Sequence, residues 1–230
     1  MRRGGFLDKN FYFAMSLLIA ATVAWGFGRT IGPRLIHPAI APPWILYVHG
    51  TAFCSWVLFF ILQSALIRTH NVKLHRRLGW FGLGLGCAMI ILGVSTAIAV
   101  MRIRFGQTHD VGALAFRIVP FYDMVCFSTF LALAIYWRKK PEFHRRLILI
   151  ASCTLTAAAF GRFPHMGPFF YPAVDVLILL GAARDWIVNR RIHQAYWYAV
   201  PAIVLGQAFT MYTVIHSSAW WLRIAQAIAS

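Results

Sequence analysis

The 230-residue chain is 60% hydrophobic and 12% charged, with a mean hydropathy of +0.67, which sets it outside the range of ordinary soluble domains. Its net charge of +16 invites a nucleic-acid partner, but Lys and Arg fall between apolar runs and never form a block of five or six like charges. That placement suits lipid headgroups, so a bilayer and not nucleic acid is the expected partner.

Several windows of about 20 residues are nearly free of charge, the length an α-helix needs to cross roughly 30 Å of hydrocarbon, whereas a β-barrel would need alternating segments. The expected fold is an all-α integral membrane protein, a seven-helix transmembrane bundle forming one domain over residues 1–230. Met1-Arg2-Arg3 resembles a signal n-region, yet no small-residue cleavage site follows, and the first run is long enough to be retained as a span.

The first predicted helix covers about 11–31 and ends at Gly32-Pro33; Pro42-Pro43 precedes the second, about 44–67. A basic loop with Arg68, Lys73, Arg76 and Arg77 leads to the third, about 78–101, where Gly82, Gly84 and Gly86 predict close helix contact. A polar connection with Arg102, Arg104, His109, Asp110 and Gly112 precedes the fourth, about 118–137. After Arg138-Lys139-Lys140-Pro141-Glu142, the fifth begins near Leu147 and loses its pattern at Gly161-Arg162-Phe163-Pro164. The sixth covers about 168–188 and the seventh about 197–215, and the tail from Ser217 with Trp220, Trp221 and Arg223 is expected to lie along the interface. Cys54, Cys87, Cys126 and Cys153 sit in apolar runs with no C-x-x-C pair, which argues for small core residues and against disulfides or a zinc knuckle.

With the N-terminus inside, the cytoplasmic segments hold 15 of the 22 Lys and Arg, leaving an outer excess at Arg102, Arg104 and Arg117. The same count places the C-terminus outside and gives the polar residues their depth.

The middle of the chain nearly repeats itself. His75-Arg76-Arg77-Leu78 and His144-Arg145-Arg146-Leu147 each open an apolar run, with an ionisable residue upstream, His49 in one copy and Asp123 in the other. Two related hairpins follow, of predicted helices 2–3 and 4–5. His75 and His144 then begin helices running the same way, so packing those helices together sets two imidazoles at one depth. Facing imidazoles are the axial ligand set of a six-coordinate haem, and Arg76 and Arg145 are placed to meet propionates. The plainer reading is a membrane boundary at which arginines snorkel to phosphate.

A second polar layer lies nearer the outer surface. His49, Asp123 and Asp175 fall five to seven residues into their helices, hence roughly 8 to 11 Å deep at ~1.5 Å per residue. Arg162 approaches from the fifth helix, and His165 and His216 lie just above. Ionisable groups cost roughly 2.5 to 3.5 kcal/mol each at mid-membrane, so a shared pocket is expected. An Arg–Asp pair is the structural version of that pocket, and His49, Asp123, His165 and His216 are the metal-ligand version. His49, Trp56 and Gln63 are seven apart and share one stripe of the second helix, which either lines a cofactor or packs with a hydrogen-bonded Gln. His37, His70, His109 and His193 fall in loops with no role assigned. No Walker loop, G-x-G-x-x-G, H-E-x-x-H or G-x-S-x-G element appears.

With H-G-x5-W-x6-Q followed by L-H-R-R-L-G and a second H-R-R-L, residues 44–162 resemble a widespread, uncharacterised group of bacterial multipass membrane proteins. More loosely, the chain is similar to the ascorbate-reducible b-type cytochromes, whose four successive helices supply two histidine pairs. That resemblance implies haem b, or another metal, held by His49, His75 and His144, with Asp123 standing where a fourth histidine belongs. On that resemblance the chain is expected to be a redox-associated protein of the bacterial cytoplasmic membrane. The alternatives are a non-catalytic accessory or assembly subunit of a respiratory or photosynthetic complex, and a proton-coupled transporter using the outer pocket.

Overall fold

The computed structural model describes residues 5–38, 42–108 and 110–229. Met1-Arg2-Arg3 and His109 lie outside them. The described residues form helices and connections with no strand.

The first helix, α1 (Phe6–Ile31), closes in a π-helical turn at Gly32–Ile36, where Pro33 has no N–H to continue the regular ladder. Next comes α2 (Trp44–Arg68), entered from extended Pro43. It stops at His70, whose left-handed φ of 61° turns the chain back. The Asn71 side chain then accepts the Leu74 N–H at 3.3 Å at the start of α3 (Val72–Thr108), which follows α2 after a connection of only three residues, 69–71.

At 37 residues, α3 is about 55 Å long, well beyond the roughly 30 Å of a hydrocarbon core. The expected limits of 78–101 were too short, because Lys73, Arg76, Arg77, Arg102 and Arg104 are good helix formers that solvate their charges without leaving the helix. The Asp110 carboxylate accepts from Gly112 and Ala113 N–H at 2.8 and 3.1 Å and caps the short α4 (Val111–Ala115). The chain returns as α5 (Ile118–Tyr136).

The following helix, α6 (Pro141–Thr154), also starts earlier than expected, with Pro141 in its first turn, where a missing N–H costs nothing. It gives way at Leu155. There Thr154 and Thr156 donate their hydroxyls to the carbonyls of Ala151 and Cys153 at 2.8 and 2.6 Å, competing with the helical ladder before α7 (Ala157–Phe160) resumes it. Then come α8 (Phe170–Asn189), α9 (Gln194–Ile215) and α10 (Ala219–Ala229).

Among the described residues, five segments are long and apolar enough to cross a membrane: Asp8–Ile31, Trp44–Arg68, Val72–Gln107, Val111–Tyr136 and Gln194–Ile215. Their outward faces carry large apolar side chains such as Leu58, Ile91, Val125 and Leu205, each at least 60% exposed, as lipid contact requires. The α6–α7 rod is different in kind. It packs against α1, α5, α8 and α9, and Leu149, Ile150, Ala151 and Cys153 are fully buried, so protein rather than lipid is its solvent. Such a segment tolerates polar residues that a lipid-facing helix does not.

Pairing follows chain order: α2 lies along α3, α5 along α6, and α3 against α5. Gly82 makes room for the Phe59 ring and Gly86 for Leu131, whereas a Cβ at Gly84 would meet nothing within 4 Å. Of the cysteines, Cys126 and Cys153 are buried, but Cys54 and Cys87 are exposed, because their helices turn those positions outward. Amphipathic α10 folds back onto α3 and α4, anchored by Trp221, whose indole N–H donates to the Ala115 carbonyl at 3.1 Å.

Candidate functional site

The ends of the helices that carry the 69–71 and 137–140 connections form the basic face, and His75 and His144 meet there. Each is the fourth residue of its helix, α3 or α6. Their ring centroids are 6.3 Å apart with the planes at 77°. Two imidazoles that bind one metal ion from opposite sides through ~2 Å bonds place their ring centres about 6 Å apart. The His144 Nδ1 lies 2.9 Å from the Ala134 carbonyl. A carbonyl only accepts, so Nδ1 carries the proton and the Nε2 lone pair is left for a ligand. On the other ring, the Gln63 main-chain carbonyl lies within reach of His75, while His75 Nδ1 is buried with no hydrogen-bond partner. The Gln63 side chain is 9% exposed, and neither its Nε2 nor its Oε1 has a partner. One turn above His75, a Cβ on Gly79 would meet nothing within 4 Å, so the stripe that Phe59 and Leu131 fill further along α3 is open beside the imidazole.

The neighbouring arginines behave unequally. Arg76 is exposed on α3. Arg145 bonds Glu142 at 2.5 Å and lies over the Tyr12 ring at 5.4 Å, so it already has a carboxylate partner. Arg146, on the opposite side of α6 from His144, is 1% exposed and anchors a buried ionic cluster. Its Nε and Nη2 form a fork onto Asp185 at 2.7 and 2.6 Å, and its Nη1 reaches Glu142 at 2.7 Å. Asp185 also accepts from Arg184 at 2.9 Å and from the His193 main-chain N–H at 3.3 Å, and Arg184 in turn pairs with Asp8 of α1. Three carboxylates thus balance three guanidiniums where α1, α6, α8 and the entry to α9 converge. Burial and then the nearby Arg146 charge hold the His193 imidazole below its ordinary pKa, and its Nδ1 accepts the Ala195 N–H at 3.1 Å as the cap of α9.

At the opposite end the expected outer layer is distributed over separate partners. Asp123 is 8% exposed and accepts from the Tyr171 hydroxyl at 3.2 Å. Asp175 accepts from Gln207 at 2.9 Å. Both carboxyls are therefore held by neutral donors. Arg162 lies over the Phe27 ring at 4.2 Å and donates to the Ala158 carbonyl. His49 stacks on Phe53 at 4.1 Å, within the field of Arg162, and its Nδ1 is buried with no hydrogen-bond partner. His165 and His216 are exposed, His165 with a left-handed φ of 60° and His216 bonded to its own helix at the Tyr212 carbonyl. Among the described residues no three His, Cys, Asp or Glu side chains come together as a metal-binding group. Trp56, on the His49–Gln63 stripe, donates to Ser152 Oγ at 3.2 Å and meets Phe127 edge-on, a packing role.

Family models, curated proteins and solved structures yield no match to this chain. The site therefore has to be read from its own geometry. Sequence reasoning brought His75 and His144 together but passed over Asp8, Arg184 and Asp185. One signal was available for them: the chain has only six acidic residues, and three of them lie at predicted ends of helices on the basic face.

Proposed function

We propose that this chain is a redox-associated multipass protein of the bacterial cytoplasmic membrane that holds haem b or another metal ion between His75 and His144. The observation that carries the reading is the 6.3 Å separation of the two rings, presented from equivalent positions of α3 and α6. When bound, such a group supplies one-electron transfer. The residues of the chain hold it: the Ala134 carbonyl fixes the His144 tautomer, the Gln63 carbonyl stands beside His75, and the open stripe at Gly79 leaves room on the α3 side. In this reading α1, α2, α3, α5, α6–α7, α8 and α9 make seven crossings, α2–α3 and α5–α6 are the related hairpins, and the N-terminus is cytoplasmic, in keeping with the distribution of Lys and Arg. The resemblance to b-type cytochromes agrees with the basic-face pair; on the outer side Asp123, engaged by Tyr171, replaces a histidine.

The absorbance spectrum of the protein purified from membranes, with metal analysis, tests this. A Soret band or a stoichiometric metal lost in both His75→Ala and His144→Ala is the expected result. Colourless, metal-free protein from haem-replete and metal-replete cells would sink the proposal. A second reading, an accessory subunit whose polar layers are structural, draws support from the ionic cluster, which is charge-balanced and closed among three helices, α1, α6 and α8. It predicts no chromophore and co-purification with a larger complex.

A further inference from the structure

On the proposed topology, Arg102, Arg104 and Arg117 are outer arginines that break the positive-inside pattern, and Arg102 has a place in the fold. Ser95, Ile98, Ala99, Arg102 and Ile103 follow i, i+3, i+4, i+7, i+8 spacing and line an open groove of about 420 Å³ on the side of α3. Arg102 lies at its end. The Arg102 side chain is exposed, and its Nε donates at 2.7 Å to the Ile228 carbonyl in the last turn of α10, which fixes the guanidinium against the mouth of the groove. Ser95, seven residues back along the helix, is about 10 Å deeper toward the middle of the bilayer. Arg104 and Arg117 lie close enough to feel each other's charge, and with Asp110, already engaged in capping α4, they line a separate small hollow between α3 and α4. This end of α3 therefore carries an open, shallow apolar face with the Arg102 guanidinium at its end.

We propose that the groove is a binding site for one anionic phospholipid, its acyl chain along Ser95, Ile98 and Ala99 and its phosphate on Arg102. The length scale fits, because an acyl chain descends from the headgroup level as the groove does. The charge fits, because an arginine at the interface pairs with a phosphodiester through several N–H donors. The small side chains at positions 95 and 99 leave the shallow depression, and Ile98 and Ile103 flank it on the same face of α3. The site also explains why arginines are retained on the side that the positive-inside rule disfavours. It requires a bilayer and is independent of any metal at His75 and His144.

The test titrates detergent-purified protein with phosphatidylglycerol, with phosphatidylcholine or with inorganic phosphate, reading retained lipid by native mass spectrometry and the thermal midpoint. Phosphatidylglycerol is expected to be retained at one molecule per chain and to raise the midpoint, while phosphatidylcholine and phosphate do neither. Arg102→Gln removes the phosphate partner and Ala99→Trp fills the shallow groove. Each is expected to weaken retention at least about tenfold, as loss of a charge-assisted contact or of chain burial implies. Arg223→Gln, on the exposed side of α10, leaves retention unchanged. Because Arg102 also caps α10, Ala99→Trp keeps the test decisive if Arg102→Gln does not fold. Equal retention by Ala99→Trp and the parent, equal retention of both lipids, or reproduction of the midpoint shift by phosphate overturns the proposal.

Discussion

Replacing Asp185 by Asn should be among the most damaging conservative changes in this protein. Asp185 is fully buried and receives the two-pronged fork of Arg146 together with Arg184 and the His193 N–H. Asn keeps the volume and one acceptor oxygen but removes the charge that neutralises two guanidiniums, which are 1% and 2% exposed. Removing one partner of a buried ion pair costs roughly 3–5 kcal/mol, chiefly because the remaining charge is left uncompensated. For a chain of this length each kcal/mol is worth roughly 2–4 °C, so the midpoint should fall by about 6 to 20 °C. Glu142→Gln is the internal comparison. Glu142 also bonds Arg146, but its side chain is 57% exposed and water shares the charge, so the change should cost less than about 1 kcal/mol. Joint replacement of the fork, Arg146→Met with Asp185→Leu, should recover a large part of the loss, since Arg184 keeps Asp8. Thermal unfolding in one detergent, followed by tryptophan fluorescence, ranks the variants. Equal midpoints for Asp185→Asn and Glu142→Gln would refute the reasoning.

His193 sets a pH dependence. Its folded pKa is lowered from 6.5, so the unfolded chain binds the proton first as pH falls, and stability contributed by the neutral ring is present above about pH 6.5 and lost below it. His193→Asn retains a capping oxygen for Ala195 and should flatten the midpoint-against-pH curve between pH 7 and 5; an unchanged slope contradicts the assignment. Gly26→Ala forces a Cβ onto the Ala159 backbone where α1 crosses α7, and backbone cannot rotate aside, so roughly 1–3 kcal/mol should be lost. Gly84→Ala meets nothing and should be neutral or stabilising by up to about 1 kcal/mol from helix propensity, and the two midpoints together check the crossing. Tyr171→Phe takes the donor from buried Asp123 and should lower stability by about 1–3 kcal/mol, whereas Tyr198→Phe, 76% exposed, should not register in the same melt.

Much of the architecture was legible in the chain because the bilayer imposes a one-dimensional constraint. Apolar runs of the length of a span, the Pro and Gly stops and the alternation of basic connections depend on sequence position alone, and the helices fall close to where those signals lie. The pairing of His75 with His144 was legible for the same reason, since depth follows from rise per residue and both open helices after short turns. Depth does not give azimuth. His49, Asp123, Arg162 and Asp175 occupy one predicted layer, yet Asp123 faces Tyr171, Asp175 faces Gln207 and Arg162 lies on Phe27, because the rotation of each helix is set by which neighbour its stripe packs against. Arg184 and Asp185 show the limit from the other side. In sequence they are adjacent unlike charges near a helix end, which reads as a solvated boundary. Only the convergence of α1, α6 and α8 buries them, and once water is excluded, Asp8 and Arg146, remote in the chain, become their obligatory partners.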